Sequence, residues 1–291
     1  MTPINIAVAS GKGGTGKTMV STSLAASLAP EHKIQFLDCD VEAPNAHLFL
    51  KPKFSNEIQA AILVPEIDLN LCTHCGKCVE ECSYHALAEL GDQILLFPQL
   101  CHGCGNCMLI CPVNAITEKP RSIGRISRGR TEDGIHYLMG ELTISEPMPT
   151  PIIHQLKSMR AITPEITILD SPPGASCAVV ETIHDADFIL LVTEPTPFGL
   201  HDLKQMLGIL ETIKIPAGVI INRVGIGNDE VQHFLRRTGF PVLMEIPFQQ
   251  RIASELAKGN LFVSACSSYR NVFSNLYNEI LKLLVRKADP S

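Results

Sequence analysis

Tryptophan is absent from this 291-residue chain, and phenylalanine and tyrosine bring the aromatic share to only 5%. Any core must therefore be filled by the aliphatic residues that carry the hydrophobic share to 45%. No apolar run reaches the ~18 residues that a membrane helix needs, the longest lying near FILLVT, Phe188 to Thr193. Nor does a basic and then apolar leader precede the first strand, so a cytoplasmic location is expected and a membrane role is not. A basic excess is missing too. The formal charge is −6, which argues against non-specific nucleic-acid binding. One basic stretch, Arg121, Arg125, Arg128 and Arg130, stands against that balance; it reads as a solvated strand face, the alternative being a docking patch for an acidic partner. Finally, the 11 cysteines lack the even spread of a disulfide framework. All but Cys39, Cys177 and Cys266 fall between Cys72 and Cys111, and such clustering in a reducing compartment means metal.

What is present begins with short, continuous, β-branched runs: INIAVA, KIQFLD, ITILD, FILLVT and GVIIN. Strands buried on both faces of a parallel sheet read this way. Helical patterns lie between them, at Met19 to Leu28, Ile152 to Met159, Leu200 to Ile213, Asp229 to Thr238 and Gln250 to Ala257. The alternation predicts a doubly wound α/β fold with a mainly parallel sheet. It breaks between about Leu63 and Thr117, and the passage after Arg121 reads as two or three antiparallel strands. The expected organisation is one α/β domain, residues 1–62 and 118–291, interrupted by a small α+β ferredoxin-like module at 63–117. The last helix carries Phe273, Leu276, Tyr277, Ile280 and Leu284 on one face, with Lys282, Arg286 and Lys287 nearby. That face reads as packing on the sheet, the alternative being a membrane-surface helix.

The first strand runs into GKGGTGKT, which fits G-x-x-x-x-G-K-(S/T) between a predicted strand and a predicted helix. Gly11, Gly13, Gly14 and Gly16 let backbone N–H groups, with that of Thr15, converge on phosphate oxygens at the helix N-terminus. In this motif Lys17 reaches the β- and γ-phosphates and the Thr18 hydroxyl ligates Mg²⁺. The strand ITILD ends in Asp170, placed to hold Mg²⁺, and Gly174 in the following SPPG can turn towards the γ-phosphate as a switch. With Lys12 inside the loop, KGGTGKT resembles the deviant Walker A of the MinD/ParA-type P-loop ATPases, which include the nitrogenase iron protein and the Mrp-type iron–sulfur carriers. The resemblance covers the chain outside the insertion. It implies an ATP-dependent homodimer in which Lys12 crosses to the phosphates of the partner subunit. It makes LDCDVEAPN a first switch region, with Asp38 near Mg²⁺ and Asp40 near the attacking water, and it puts Asn222 and Pro247 on the adenine side. Taken alone, Asp40 also suits a helix N-cap, and Asn222 a turn at a strand end.

The cysteine segment is an internal repeat. LCTHCGKCVEECSYHAL, Leu71 to Leu87, and LCHGCGNCMLICPVNAI, Leu100 to Ile116, match at every cysteine with an offset of 29 residues. Both follow C-x₂-C-x₂-C-x₃-C, in which three thiolates wrap one 4Fe–4S cluster and the fourth reaches the other. The assignment is Cys72, Cys75, Cys78 and Cys111 for one cluster, and Cys101, Cys104, Cys107 and Cys82 for the second. Two Cys₄ zinc sites are the competing reading, although they usually pair two CxxC knuckles across a longer loop. Ser83 follows Cys82 where the second repeat has Pro112, a departure that touches no ligand. His74 and His102 read as loop residues, since each motif already has four thiols. Cys39 and Cys266 read as core. Cys177 reads as a small buried hydrophobe, the alternative being a bridging cysteine of the kind found in the nitrogenase iron protein. Eight thiolates and two clusters would add about −4 of charge, a further argument against nucleic acid.

The expected function is Mg²⁺-dependent ATP hydrolysis by a homodimer, with the ADP and ATP states repositioning a two-cluster electron carrier. Chains that look like this are associated with redox-linked metallocofactor assembly, some with molybdenum-containing clusters, so the implied partner is a redox or metallocofactor client. Two alternatives are a MinD-like spatial organiser with a redox-sensing module, and a plain electron carrier uncoupled from ATP.

Overall fold

A computed structural model describes residues 3–288, with side chains as far as 285. The strands among the described residues are β1 (Ile4–Ala9), β2 (Ile34–Asp38), β3 (Lys53–Ile67), β4 (Leu87–Leu90), β5 (Gln93–Leu96), β6 (Ile116–Arg130), β7 (His136–Leu142), β8 (Ile166–Asp170), β9 (Phe188–Thr193), β10 (Ala217–Val224) and β11 (Val242–Pro247). Nine of them form one sheet in the order β11-β10-β9-β1-β8-β2-β7-β6-β3. From β11 to β7 the neighbours run parallel, while β6 and β3 are added antiparallel at one edge. The five continuous apolar runs all fall in the parallel part, where helices cover both faces.

The helices are α1 (Lys17–Leu28), α2 (His47–Leu50), α3 (Lys77–Glu80), α4 (Asn106–Leu109), α5 (Thr150–Ser158), α6 (Cys177–Ile183), α7 (Pro197–Ile213), α8 (Glu230–Thr238), α9 (Gln250–Ala257), α10 (Phe262–Ala265) and α11 (Ser268–Ala288). Successive residues of β1 serve opposite cores, as a strand's period of two requires. Ala7 and Ala9 join the layer with α5, α6, α7 and α8, whereas Ile6 and Val8 join the layer with α1, α10 and α11. In α11, Phe273, Leu276, Tyr277 and Ile280 are buried in that second layer, with Leu284 against it. The helix therefore packs on the domain as read from its periodicity; the side chains of Arg286 and Lys287 lie outside the described residues. Among the described residues no helix is long and apolar enough to cross a membrane.

β3 and β6 form an antiparallel ribbon in register from Lys53↔Arg130 to Ile67↔Ile116. Its base belongs to the sheet, and its far end carries both cysteine repeats, with α3, the β4–β5 hairpin and α4. Positions 63 and 117 thus fall inside strands. The mixed polar and apolar KFSNEIQAAI gave no strand signal, because much of β3 is exposed at the sheet edge. Of the arginine stretch, Arg125, Arg128 and Arg130 are exposed on β6, as a solvated strand face requires, whereas Arg121 is largely covered. Arg121 makes a two-pronged ion pair with Glu146 (2.6 and 2.9 Å) that leaves it only 19% exposed, and Arg125 pairs with Glu141 at 2.7 Å. These two charges are neutralised locally and form no free basic patch.

Helix α5 holds the ribbon base. Gly124 of β6 and Gly140 of β7 lie under Ile152: a Cβ at 140 would sit 2.7 Å from Val41 and 2.8 Å from Ile152. Gln155 closes a bulge between Ala60 and Ala61, accepting from the Ala61 N–H (3.3 Å) and donating to its carbonyl (2.8 Å). Gly140→Val should lower stability by ~1–3 kcal/mol through overpacking, read as a lower urea midpoint with unchanged slope.

Candidate functional site

β1, β2 and β8 are neighbours, and their C-terminal ends bring together residues far apart in sequence. Val8 lies opposite Asp170, and Asp38 opposite Asp170, in the strand registers. The loop after β1 then folds over this edge and opens α1, the usual place for a ligand in an open α/β sheet. Gly16 adopts φ +96°, a left-handed conformation that glycine takes without strain, and a Cβ there would sit 2.3 Å from Asn222 Nδ2. Gly11 is pressed against α7, where a Cβ would lie 2.5 Å from the Asp202 carbonyl oxygen. Lys12, Gly13, Gly14, Thr15, Gly16, Lys17 and Thr18 line one groove with Asp40 and Pro173. Gly174, at φ +95°, donates its N–H to the Ser10 carbonyl at 3.0 Å, tying the following loop to the phosphate loop.

Lys17 is buried and donates to Asp170 Oδ1 at 3.1 Å. Burial works to lower its pKa, but Asp170, Asp40 and Asp38 outweigh that and the net shift is upward. Asp38, fully buried, accepts through Oδ2 from the Ala46 N–H (3.0 Å) and the Tyr137 hydroxyl (3.1 Å). Its Oδ1 and the Oδ2 of Asp170 are buried without partners. Unpartnered buried oxygens on neighbouring strands are the donor set a hard cation takes, so the residues fit Mg²⁺, with Thr18 beside them in the groove. Burial, then the charge of Asp170, pushes Asp38 up to about 7. Burial also lifts Asp40 to about 6 against the opposing pull of Lys17. Asp40 caps no helix, since α2 opens only at His47.

Three contacts had no sequence signal. Lys12 forms an ion pair with Glu194 of its own chain, and the other Glu194 oxygen accepts from Arg223 at 3.1 Å. Asn222 is buried and donates to the Thr15 carbonyl at 2.7 Å, so it braces the phosphate loop. It also lines a second pocket with Pro247, Phe248 and Ile252. Tyr137 comes from β7, which the cysteine insertion separates from Asp38 in sequence.

The repeats build two separate cavities. Cys82, Cys101, Cys104 and Cys107 line one, and Cys72, Cys75, Cys78 and Cys111 line the other. The crossed fourth cysteines occupy equivalent positions: Cys82 Sγ accepts from the Ala86 N–H and Cys111 Sγ from the Ala115 N–H, each at 3.3 Å. Among the described residues, no three His, Cys, Asp or Glu side chains converge closely enough to hold a single metal ion. His102 is exposed and stacks on Tyr84, with ring centroids 3.7 Å apart, while His74 is half-buried beside the other cavity. Cys39 is fully buried and Cys266 packs partly buried against the core. Cys177, expected to be buried, is exposed at the first turn of α6, where Ala178 and Val179 take the positions that face the core.

Residues 6–262 match the model of the CobQ/CobB/MinD/ParA nucleotide binding domain. The chain is 31% identical over 284 residues to the uncharacterized protein MJ0579 of Methanocaldococcus jannaschii, covering 95% of this chain and 97% of the relative. Its fold is similar to that of the septum site-determining protein MinD complexed with Mg-ADP from Pyrococcus horikoshii, with TM-score 0.60, 18% identity and 97% of each chain covered. It is similar as well to the MinC:MinD cell division protein complex of Aquifex aeolicus, with TM-score 0.57, 15% identity, and 94% of this chain and 96% of that one covered.

Because folded Asp38 keeps its proton up to about 7, against an ordinary 3.8, its contribution to stability is full below about pH 4 and fades as pH rises through 7. Asp38→Asn is neutral throughout. In EDTA its melting temperature should therefore gain on the natural protein between about pH 4 and about pH 7, as followed by calorimetry.

Proposed function

The chain belongs to the CobQ/CobB/MinD/ParA nucleotide-binding family and is a P-loop ATPase, and from that premise we propose that it couples ATP turnover to a pair of 4Fe–4S clusters held in the module at 63–117. The observation that carries this reading is the pair of cavities, each walled by four cysteines, three from one repeat and the last from the other. A zinc site would need four sulfurs within about 2.3 Å of one ion. The C-x₂-C-x₂-C-x₃-C spacing of both repeats favours a cubane, whose four irons meet four separated thiolates. Cys72, Cys75, Cys78 and Cys111 would hold one cluster, and Cys101, Cys104, Cys107 and Cys82 the other. When bound, such clusters supply one-electron transfer.

For hydrolysis, the loop from Gly11 to Thr18 cradles the phosphates of ATP, and Lys17 exchanges Asp170 for β- and γ-phosphate oxygens. Mg²⁺, held by Thr18, Asp38 and Asp170, would neutralise charge developing on the phosphates. Asp40, whose pKa burial raises, orients the attacking water. Lys12 leaves Glu194 and reaches the phosphates of the partner subunit in an ATP-dependent homodimer. Asn222 and Pro247 border the adenine. Gly174 reads the γ-phosphate.

A route from that switch to the clusters exists in the packing. The Gly174 loop leads directly into α6, α6 packs on α5, and α5 holds the ribbon base through Ile152 and Gln155. The implied client is a redox or metallocofactor protein, with molybdenum-cluster proteins one candidate class. A MinD-like organiser would instead need an amphipathic helix free to bind a surface, and α11 has its apolar face in the core.

Anaerobically purified protein should carry ~8 Fe per chain, and an EPR-monitored redox titration should differ between no nucleotide, ADP and a non-hydrolysable ATP analogue. Identical titrations would sink the coupling and move the organiser to first place; zinc in place of iron would sink the cluster reading. Cys82→Ser should perturb the cluster of the second repeat while leaving the other signal intact, the crossed assignment being wrong if the first repeat's cluster is lost instead. Lys12→Ala should still bind nucleotide yet lose about a hundredfold or more in hydrolysis, measured by phosphate release.

A further inference from the structure

We propose that Tyr137 is a positioning residue of the metal site, its hydroxyl holding Asp38 so that the other carboxylate oxygen faces the Mg²⁺ position. The inference rests on the reading of Asp38 as a Mg²⁺ ligand. Asp38 spends one oxygen on two fixed donors, the Ala46 N–H at 3.0 Å and the Tyr137 hydroxyl at 3.1 Å. That leaves Oδ1 buried and unpartnered, matched by Oδ2 of Asp170 on the adjacent strand. A carboxylate with two anchored bonds on one oxygen cannot turn without losing both, so the free oxygen has a fixed heading.

The phenol ring is itself held by two neighbours. Tyr137 is 0% exposed, its ring stacks on Phe36 with centroids 5.6 Å apart and planes within 3°, and the edge of Phe54 meets it at 6.0 Å. Phe36 lies opposite Tyr137 in the β2–β7 register, two residues before Asp38 on the same face of β2. A residue with only a packing role at this place would need no hydroxyl. Buried among apolar rings, a hydroxyl costs free energy unless it is bonded, and its bond goes to Asp38.

The test keeps the ring and removes the bond. Tyr137→Phe and the natural protein are titrated with Mg²⁺ while binding of a fluorescent ADP analogue is followed, and Asp38→Asn is run in parallel. The Mg²⁺ concentration for half-saturation should rise about tenfold in Tyr137→Phe. Nucleotide affinity without Mg²⁺ should stay near that of the natural protein, and the melting temperature in EDTA should fall by only a few degrees for the lost buried bond. In turnover the defect should appear in the Mg²⁺ requirement, with most of kcat recovered at saturating metal. If Asp38→Asn destroys the Mg²⁺ dependence and Tyr137→Phe leaves it unmoved, Tyr137 is a core ring only and the inference is overturned. If neither variant alters the dependence, Asp38 is not a ligand, and that reading falls together with this one.

Discussion

The structure is organised around the crowding of three carboxylates, Asp38, Asp40 and Asp170, about the single buried ammonium of Lys17. Charges removed from water are tolerated only when paired and hydrogen-bonded, and here the acids outnumber their cation. The excess appears as the upward shifts of Asp38 and Asp40 and as two buried oxygens without partners. A site built this way is incomplete without a further positive charge. A divalent cation would supply that charge, and phosphates competing for Lys17 would alter the same balance. The fold supplies this crowding by setting the ends of β2 and β8 side by side, with the phosphate loop leaving β1 next to them.

Much of this was legible because the phosphate loop is a local device. Eight consecutive residues specify turn, glycine conformation and helix start, and their meaning does not depend on distant partners. The cysteine repeats are local in the same sense, since their spacing alone sorts each cysteine to a cavity. The parallel strands could be read because burial on both faces leaves an unbroken apolar run. What escaped depends on contacts between distant segments. Tyr137 meets Asp38, Lys12 meets Glu194, and Asn222 meets the Thr15 carbonyl, each across a long stretch of chain. Nothing in the residues around Tyr137 or Glu194 announces such a partner. β3 escaped for a different reason: a strand on an exposed edge has little to bury and so carries no pattern.

Lys12 shows what a motif leaves unsaid about a residue's resting contacts. The resemblance to MinD/ParA-type ATPases implies a lysine that acts across a dimer interface. Within its own chain that lysine already has an acid, Glu194, which also holds Arg223. Any movement towards a second subunit must break a partly buried ion pair, so the cost of leaving is built into the starting position. Glu194 would keep Arg223 as a partner after the exchange, and the cost is correspondingly smaller than that of stranding a buried charge.

The position of the insertion has a geometric consequence of its own. In sequence it lies between the strand that ends at Asp38 and the strand that ends at Asp170, the two carboxylates with free oxygens. Going out, the chain passes from Asp38 through α2 into β3; coming back, it passes through β6 and β7, and β7 lies beside β2 with Tyr137 on Asp38. Both legs of the ribbon are therefore only one structural element removed from the same buried carboxylate, Asp38. Phe54, near the start of the outgoing leg, closes the loop by meeting the Tyr137 ring. A module attached at a remote helix–helix loop would feel a change at the phosphates only through the domain as a whole. Attached here, its stalk shares a side-chain contact with the carboxylate that a nucleotide-bound cation would engage, and coupling then needs no motion larger than a change in how that carboxylate is held.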